Sequence, residues 1–374
     1  MTAERDLLAE VTRKFLANSV PTARVRALAD KEQAGFERHW WRQGAELGWT
    51  SLLVPEEFGG GSVSGRAVAD LAVVAEEMGR AVAPGPFLPC NLAALALGAD
   101  GGRHGDILAD IMAGQTVAAW CGPGPMGAER GQGKQPEPRL QAKGGAGGYV
   151  INGAISAVEA AVEADSFVVT TVTDGGPTQF VVPADASGLK VKAINSLDLV
   201  RRFGQVSFDS VQVPESARIG SEGGAGPEVE YQLMVGAVLA CAAMVGATDR
   251  AFHLTVDYVF DRSSFGRPLA SYQALKHRLA DMKLGLEASH ATAEAAALAV
   301  VRGSAEAQEL VSVAKAYIGD RAPEILQECV QLHGGIGVTW DHDLHLYLRR
   351  VVLDRGLFGT PRDHRERIAA MMDL

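Results

Sequence analysis

The spacing of apolar positions divides the chain into three zones. Over residues 1–114 apolar residues recur at helical intervals. Leu7, Leu8, Val11 and Phe15 share one predicted face, a second helix carries Phe36 through Leu47, and a third runs from Val68 to Met78 and stops at Gly79. Val54-Pro55-Glu56-Glu57-Phe58-Gly59-Gly60-Gly61 reads as a loop between the second and third helices. Over residues 115–220 the pattern changes to short β-like runs: Val117–Cys121, Tyr149–Gly153, Ser166–Val172, Gln179–Pro183, Leu189–Ile194 and Gln205–Pro214. Gly, Pro and Asp separate them and no helix intervenes, which predicts an antiparallel sandwich or barrel. The polar Gly- and Pro-rich stretch Gly122–Gly148 inside this zone reads as a loop. Over residues 221–374 helical spacing returns, with long apolar segments Tyr231–Phe260, Tyr272–Arg302 and Ala305–Leu332 and a last helical region from about Asp341.

The fold class this predicts is mixed α and β, mainly α. It has an N-terminal helical domain (1–114), a central antiparallel β-domain (115–220) and a C-terminal helical bundle (221–374). Alternating βαβ is absent, so a doubly wound nucleotide fold is excluded.

The bulk numbers narrow the function class. A chain of 374 residues, 47% apolar and 21% charged, suits a multi-domain globular protein. A net charge of −10 argues against nucleic acid or an anionic membrane as partner. Cys90, Cys121, Cys241 and Cys329 show no CxxC spacing and read as buried apolar residues in a reducing compartment. The N-terminus reads as an amphipathic helix and not as a signal peptide. The longest apolar run, Leu233–Ala247, is too short to span a bilayer. A cytoplasmic location is expected.

Four motifs carry candidate chemistry. Gly122-Pro-Gly124-Pro-Met-Gly127 matches GxGxxG, but no helix and no βαβ unit follow, so a loop is the better reading. Asp341-His342-Asp343-Leu344-His345 places two ligand types one helical turn apart, yet no third ligand is in view and Asp is a natural helix cap. Arg262-Ser-Ser-Phe265-Gly266, followed by Gln273 and Leu279-Ala-Asp-Met282, offers a guanidinium for a pyrophosphate and a ring to stack. The same residues also suit an ordinary helix-loop-helix corner. Gln331-Leu-His333-Gly334-Gly335-Ile-Gly337 lets backbone approach a ligand, or simply caps a helix.

Taken together and in order, these residues resemble the acyl-CoA dehydrogenase family. Glu46-Leu-Gly48-Trp49, Val54 through Gly60 and Glu76-Glu77-Met-Gly79-Arg80 are similar to that family's first domain. The Arg262 and Gln331 sets are similar to its C-terminal signatures. The resemblance spans about Glu46 to Thr360. It implies a helical domain, a β-domain and a C-terminal four-helix bundle. It also implies a reaction in which a carboxylate takes the α-proton of an acyl-CoA thioester and FAD takes hydride from the β-carbon. It assigns Arg262, Phe265, Gln273, Gln331, Gly334, Gly335 and Thr360 to cofactor contact, the first six with the FAD of a neighbouring subunit.

The chain departs from that pattern at the catalytic base. Where the family places a Glu before Gly-Thr, this chain has Phe358-Gly359-Thr360. Where some members place it on the first bundle helix, this chain has Gly236. Glu230, about 9 Å along a helix from Gly236, and Asp354 are the nearby carboxylates, and neither is an obvious substitute. The family's Thr-Glu-Pro and Gly-Ser-Asp region reads Cys121 through Gly133 here, and its Asn-Gly-Lys and Ile-Thr-Asn read Asn152-Gly153-Ala154 and then Ala157 through Asp165. Contacts to a neighbour's flavin are thus kept while those to the chain's own are lost. The segments Gly79 through Phe87 and Gly337 through Leu344 resemble the steroid side-chain branch of bacterial acyl-CoA dehydrogenases, which form α2β2 heterotetramers. The resemblance therefore implies a non-catalytic subunit with a homologous catalytic partner, acyl-CoA bound through that partner and an electron-transferring flavoprotein as acceptor. An active homomer with a displaced base and a non-enzymatic module on the same fold are the alternatives.

Overall fold

A computed structural model describes residues 3–29, 35–123, 140–145 and 147–373. The chain forms two compact units. The first comprises Met1–Arg26, Ala72–Ala83 and Ala237–Leu374, and the second Ala27–Leu71 and Pro84–Gly236.

In the second unit the strands are β1 (Ala118–Cys121), β2 (Leu140–Gly145), β3 (Gly148–Glu159), β4 (Ser166–Thr173), β5 (Gly176–Pro183), β6 (Leu189–Ile194), β7 (Phe203–Pro214) and β8 (Arg218–Ile219). They form one sheet in the order β6-β7-β3-β2-β4-β5-β8, with β1 beside β4. The sheet is mixed, not antiparallel as expected, because β1 and β2 both run parallel to β4. Strand β4 is buried along nearly its whole length, consistent with its unbroken β-branched run. Edge strand β6 is exposed and carries Lys190 and Lys192, charges that discourage pairing with another chain. β2 falls within the stretch read as loop, and the GxGxxG glycines Gly124 and Gly127 lie outside the described residues. A buried amide pair fixes the sheet to the start of α7 (Gly226–Asp261): Gln179 and Gln232 donate to each other at 2.8 and 3.0 Å, and Trp120 Nε1 donates to Gln232 Oε1 at 2.8 Å. The helices of this unit include α3 (Arg38–Glu46), α5 (Phe87–Gly98) and α6 (Gly105–Met112). Within it Trp40 packs edge to face on Trp49 and tilted against Trp41.

The first unit is helical: α1 (Ala3–Ser19), part of α4 (Ala67–Arg80), most of α7, α8 (Gln273–Val301), α9 (Ala307–His333), α10 (Leu344–Gly356) and α11 (Pro361–Met371). Helix α1 buries Arg5, Leu8, Thr12 and Leu16, while Leu7 and Val11 face outward, a rotation from the predicted face. The stem of Arg5 packs inward while its guanidinium pairs with Glu294. Helix α4 ends at Arg80, one residue past the expected stop at Gly79. A Cβ on Gly79 would meet the Ala243 carbonyl oxygen at 1.9 Å, and one on Gly246 would meet that of Glu76 at 1.9 Å. Glycine here permits two helix backbones to touch. An ion-pair network lies beside the crossing: Arg13 binds both oxygens of Glu77 at 2.9 and 2.6 Å, and Arg80 bonds Asp249 and Glu76. Helix α7 is long and apolar enough to cross a bilayer, but 89% of its apolar window is buried in the fold. All four cysteines are free and buried.

Candidate functional site

Most of the residues assigned to cofactor contact lie at one end of the first unit. Helix α7 ends at Asp261, and Arg262 leads into a two-stranded ribbon, β9 (Ser263–Ser264) and β10 (Arg267–Pro268). The turn between them is Phe265 (φ +52°) and Gly266 (φ +79°). Two left-handed residues in a two-residue turn match the twist of a hairpin, and a phenylalanine at the first of them is strained. The Phe265 ring is 96% exposed. Tyr272 OH donates to the Ser264 carbonyl at 2.8 Å and the Arg267 guanidinium lies 3.8 Å over the Tyr272 ring, so the ribbon is anchored at its base. Gln273 opens α8.

The second set is tied to the first through Tyr258. Its ring stacks on His333 at 4.2 Å, and its hydroxyl donates to the His333 carbonyl at 3.2 Å. This joins the last turns of α7 and α9. His333 Nδ1 lies 2.8 Å from the Cys329 carbonyl, and burial holds this imidazole below the usual histidine range. Gln331 is exposed in the last turn of α9, and Gly334 (φ +64°) ends the helix. A Cβ on Gly334 or Gly335 would meet nothing within 4 Å. Gly335, with no left-handed backbone to favour glycine, has no steric reason within the chain to lack a side chain. An exposed arginine, an exposed ring, two exposed amides and a bare glycine surface fit a dinucleotide pressed on from outside.

Thr360 is different. Its side chain caps α11, bonding Asp363 in a reciprocal capping box with Pro361 at the helix start. Its hydroxyl is committed within the chain.

The base positions hold no carboxylate. Phe358 sits at φ +56° in a loop clamped by buried donors. Lys315, fully buried, donates to the carbonyls of Asp354, Arg355 and Gly359 at 3.0, 2.9 and 2.9 Å, and burial brings its ammonium down to about 8. His364 Nε2 bonds the Phe358 carbonyl at 3.0 Å and its Nδ1 faces Ser312 Oγ at 3.2 Å. Burial, with Lys315 nearby, pulls His364 down to about 4. Sequence reasoning missed this clamp, since an isolated Lys and His on helices carry no motif. Asp354 has 0% exposure, so its carboxylate cannot meet a substrate in this arrangement. Gly236 is buried in α7, and Glu230 lies two turns earlier on the same helix, half-buried. In the sheet, Asn152 Oδ1 accepts from the Ser210 amide at 2.8 Å, a structural use, and Ala154 and Ala157 bring no polar side chain. Among the described residues no group of three or more His, Cys, Asp or Glu is placed to hold a metal ion. His342 instead packs edge-on against His333, and His345 stacks on Trp340.

Fold and site define a flavoenzyme class. The family descriptions "Acyl-CoA dehydrogenase, N-terminal domain" and "Acyl-CoA dehydrogenase, C-terminal domain" match residues 2–103 and 226–372. The chain is 30% identical over 365 residues to acyl-CoA dehydrogenase IpdE2 of Mycobacterium tuberculosis, covering 96% of this chain and 94% of that protein. It belongs to the acyl-CoA dehydrogenase family, whose cofactor is FAD. Among solved structures it is similar to the ChsE4-ChsE5 complex from M. tuberculosis, with a TM-score of 0.86, 25% identity and coverage of 100% and 98% of the two chains. It is also similar to the Tcur3481-Tcur3483 steroid acyl-CoA dehydrogenase, with a TM-score of 0.86, 26% identity and coverage of 99% and 98%.

Proposed function

We propose that this chain is the non-catalytic subunit of a heteromeric FAD-dependent acyl-CoA dehydrogenase, and that it completes the flavin site of a homologous catalytic partner. One observation carries this reading. The residues that would touch a neighbour's flavin are outward and unobstructed, while both positions for a catalytic base hold Phe358 and Gly236.

In this reading Arg262, Phe265, Gln273, Gln331 and the Gly334–Gly335 backbone would hold the nucleotide, the guanidinium supplying charge for its pyrophosphate and the two amides hydrogen bonds. The partner supplies the carboxylate that removes the α-proton and binds the acyl-CoA. Bound FAD supplies the electron sink for the β-hydride, and an electron-transferring flavoprotein takes the electrons onward. The likeness to complexes, one titled a steroid acyl-CoA dehydrogenase, supports an α2β2 assembly acting on a bulky, steroid-derived acyl-CoA. The clamp around Phe358 makes this loop a rigid element of the subunit with no acid–base role.

The test is turnover of acyl-CoA by the chain alone and by the chain co-expressed with a family member that retains the base. Activity only in the pair supports the reading. Turnover by the chain alone at rates typical of dehydrogenases would sink it. Glu230→Ala would then test the remaining candidate for a displaced base.

A further inference from the structure

We propose that neutral His333 is a positioning residue for the flavin-facing set. It ties the end of α7, which carries Arg262 and Phe265, to the end of α9, which carries Gln331, Gly334 and Gly335, and a proton on its ring unties them. What the set binds rests on the reading above; the tie is a property of the chain alone.

The tie runs through Tyr258. This residue stands one turn before Arg262, whose amide donates to the Tyr258 carbonyl at 2.9 Å. The Arg262 carbonyl accepts from the Leu269 amide at 2.8 Å and so closes the ribbon that holds Phe265. The Tyr258 ring stacks on His333 with 21° between the planes, and its hydroxyl bonds the His333 carbonyl. On the other side the glycine turn folds back on the same histidine. A Cβ on Gly337 would meet the Val330 carbonyl oxygen at 2.6 Å and His333 Cβ at 2.9 Å. One imidazole thus lies between the two halves of the set.

That imidazole is built to be neutral. His333 is 3% exposed. Its Nδ1 faces the Cys329 carbonyl, which only accepts, so the proton is on that nitrogen. Its Nε2 is buried and has no hydrogen-bond partner among the described residues. A second proton there would be a buried N–H without an acceptor, on a buried charge. The groups facing the ring are Tyr258 from α7, Cys329 on α9 itself and His342 from the segment between α9 and α10. His342 lies edge-on at 4.5 Å, with Asp343 and Arg26 acting on it in turn. Asp343 is the one carboxylate of this set, and it is bonded to Arg26. Burial, and after it His342, accordingly holds His333 below its usual range. A phenylalanine would pack here without the unpartnered nitrogen, so packing alone does not account for the histidine.

A folded value below the released one means that the loosened form takes the proton first. The tie is therefore fully present above about pH 6.5 and weakens as pH falls.

The test is hydrogen exchange of the purified full chain from about pH 7.5 to about pH 5, corrected for intrinsic rates and read on peptides covering residues 259–269 and 333–340. We expect both peptides to open together, by about tenfold over that range. The ceiling is roughly thirtyfold, set by one imidazole that titrates at about 6.5 when released. His333→Phe keeps a stacked ring that takes no proton, so both peptides should stay protected throughout. His333→Ala removes the stack and should leave both open at every pH. In the co-expressed pair, FAD retention by equilibrium dialysis should follow the same acid profile and lose it in His333→Phe. A flat profile in the unaltered chain, an acid response that survives His333→Phe, or opening of one peptide without the other would each overturn the proposal. A pair that never retains FAD would instead sink the reading of what the set binds and leave the tie standing.

Discussion

Gly79 and Gly246 sit where two helix backbones meet; Gly334 and Gly335 sit where the chain's own atoms leave open space. At the first pair a Cβ would collide with a carbonyl oxygen at 1.9 Å, and at the second it would meet nothing within 4 Å. The first pair serves the fold of this chain. The second serves no packing contact within it. The same contrast separates the Phe358 loop, pinned from within by Lys315 and His364, from the Phe265 turn, which projects its ring into solvent. The residues that hold this chain together and those it presents outward are therefore different sets.

Substitutions should divide along that line. Gly246→Ala should cost about 3 kcal/mol, the upper end for overpacking, because neither helix backbone can yield without losing the crossing. Denaturant unfolding of the isolated chain measures it. A loss below about 1 kcal/mol would show that the crossing relaxes and that the glycine is not required for packing.

Acid should act on the inward set. His364 titrates at about 4 in the folded chain against about 6.5 unfolded. A depressed folded value means the unfolded chain binds the proton first. Stability is thus fully present above pH 6.5 and falls toward pH 4, by about 3 kcal/mol from this group. Unfolding free energy measured across that window, with His364→Gln as the comparison, should show a shallower slope in the variant. An unchanged slope would assign the acid sensitivity to other groups.

The outward set should behave oppositely. Arg262→Ala and Gly335→Ala should leave the isolated chain within about 0.5 kcal/mol of its stability. Each should weaken FAD retention by the assembled complex by roughly tenfold, read by equilibrium dialysis. Equal losses in stability and FAD retention would merge the two sets and remove the distinction. The smallest effect belongs to Phe265→Asn, which relieves a left-handed phenylalanine and should stabilise the lone chain by about 0.5 kcal/mol, seen as a slightly higher melting temperature.

Much of this was legible in sequence where a local rule applied. The long C-terminal helices and the six expected strands follow from periodicity and punctuation, while the Arg262 and Gln331 sets were singled out by the family resemblance. β2 was not legible, since Leu140-Gln-Ala-Lys-Gly-Gly is polar and its partners are non-local. Helix α5 is buried nearly all round and so carries no amphipathic period. Gly79 reads as a helix stop, and α4 ends one residue beyond it; that the same glycine lets the helix touch the backbone at Ala243 was not legible, because that neighbour is non-local. The family resemblance assigned Thr360 to flavin contact. In the fold its hydroxyl serves the cap.

The central claim is that this chain completes a partner's flavin site without running one of its own. The measurement that bears on it most directly is native mass with FAD content, by visible absorbance, of the chain purified alone and after co-expression with a base-bearing family member. The account predicts a colourless chain alone, and a yellow α2β2 tetramer with half as many flavins as subunits when paired. A yellow homotetramer with one flavin per chain would contradict it.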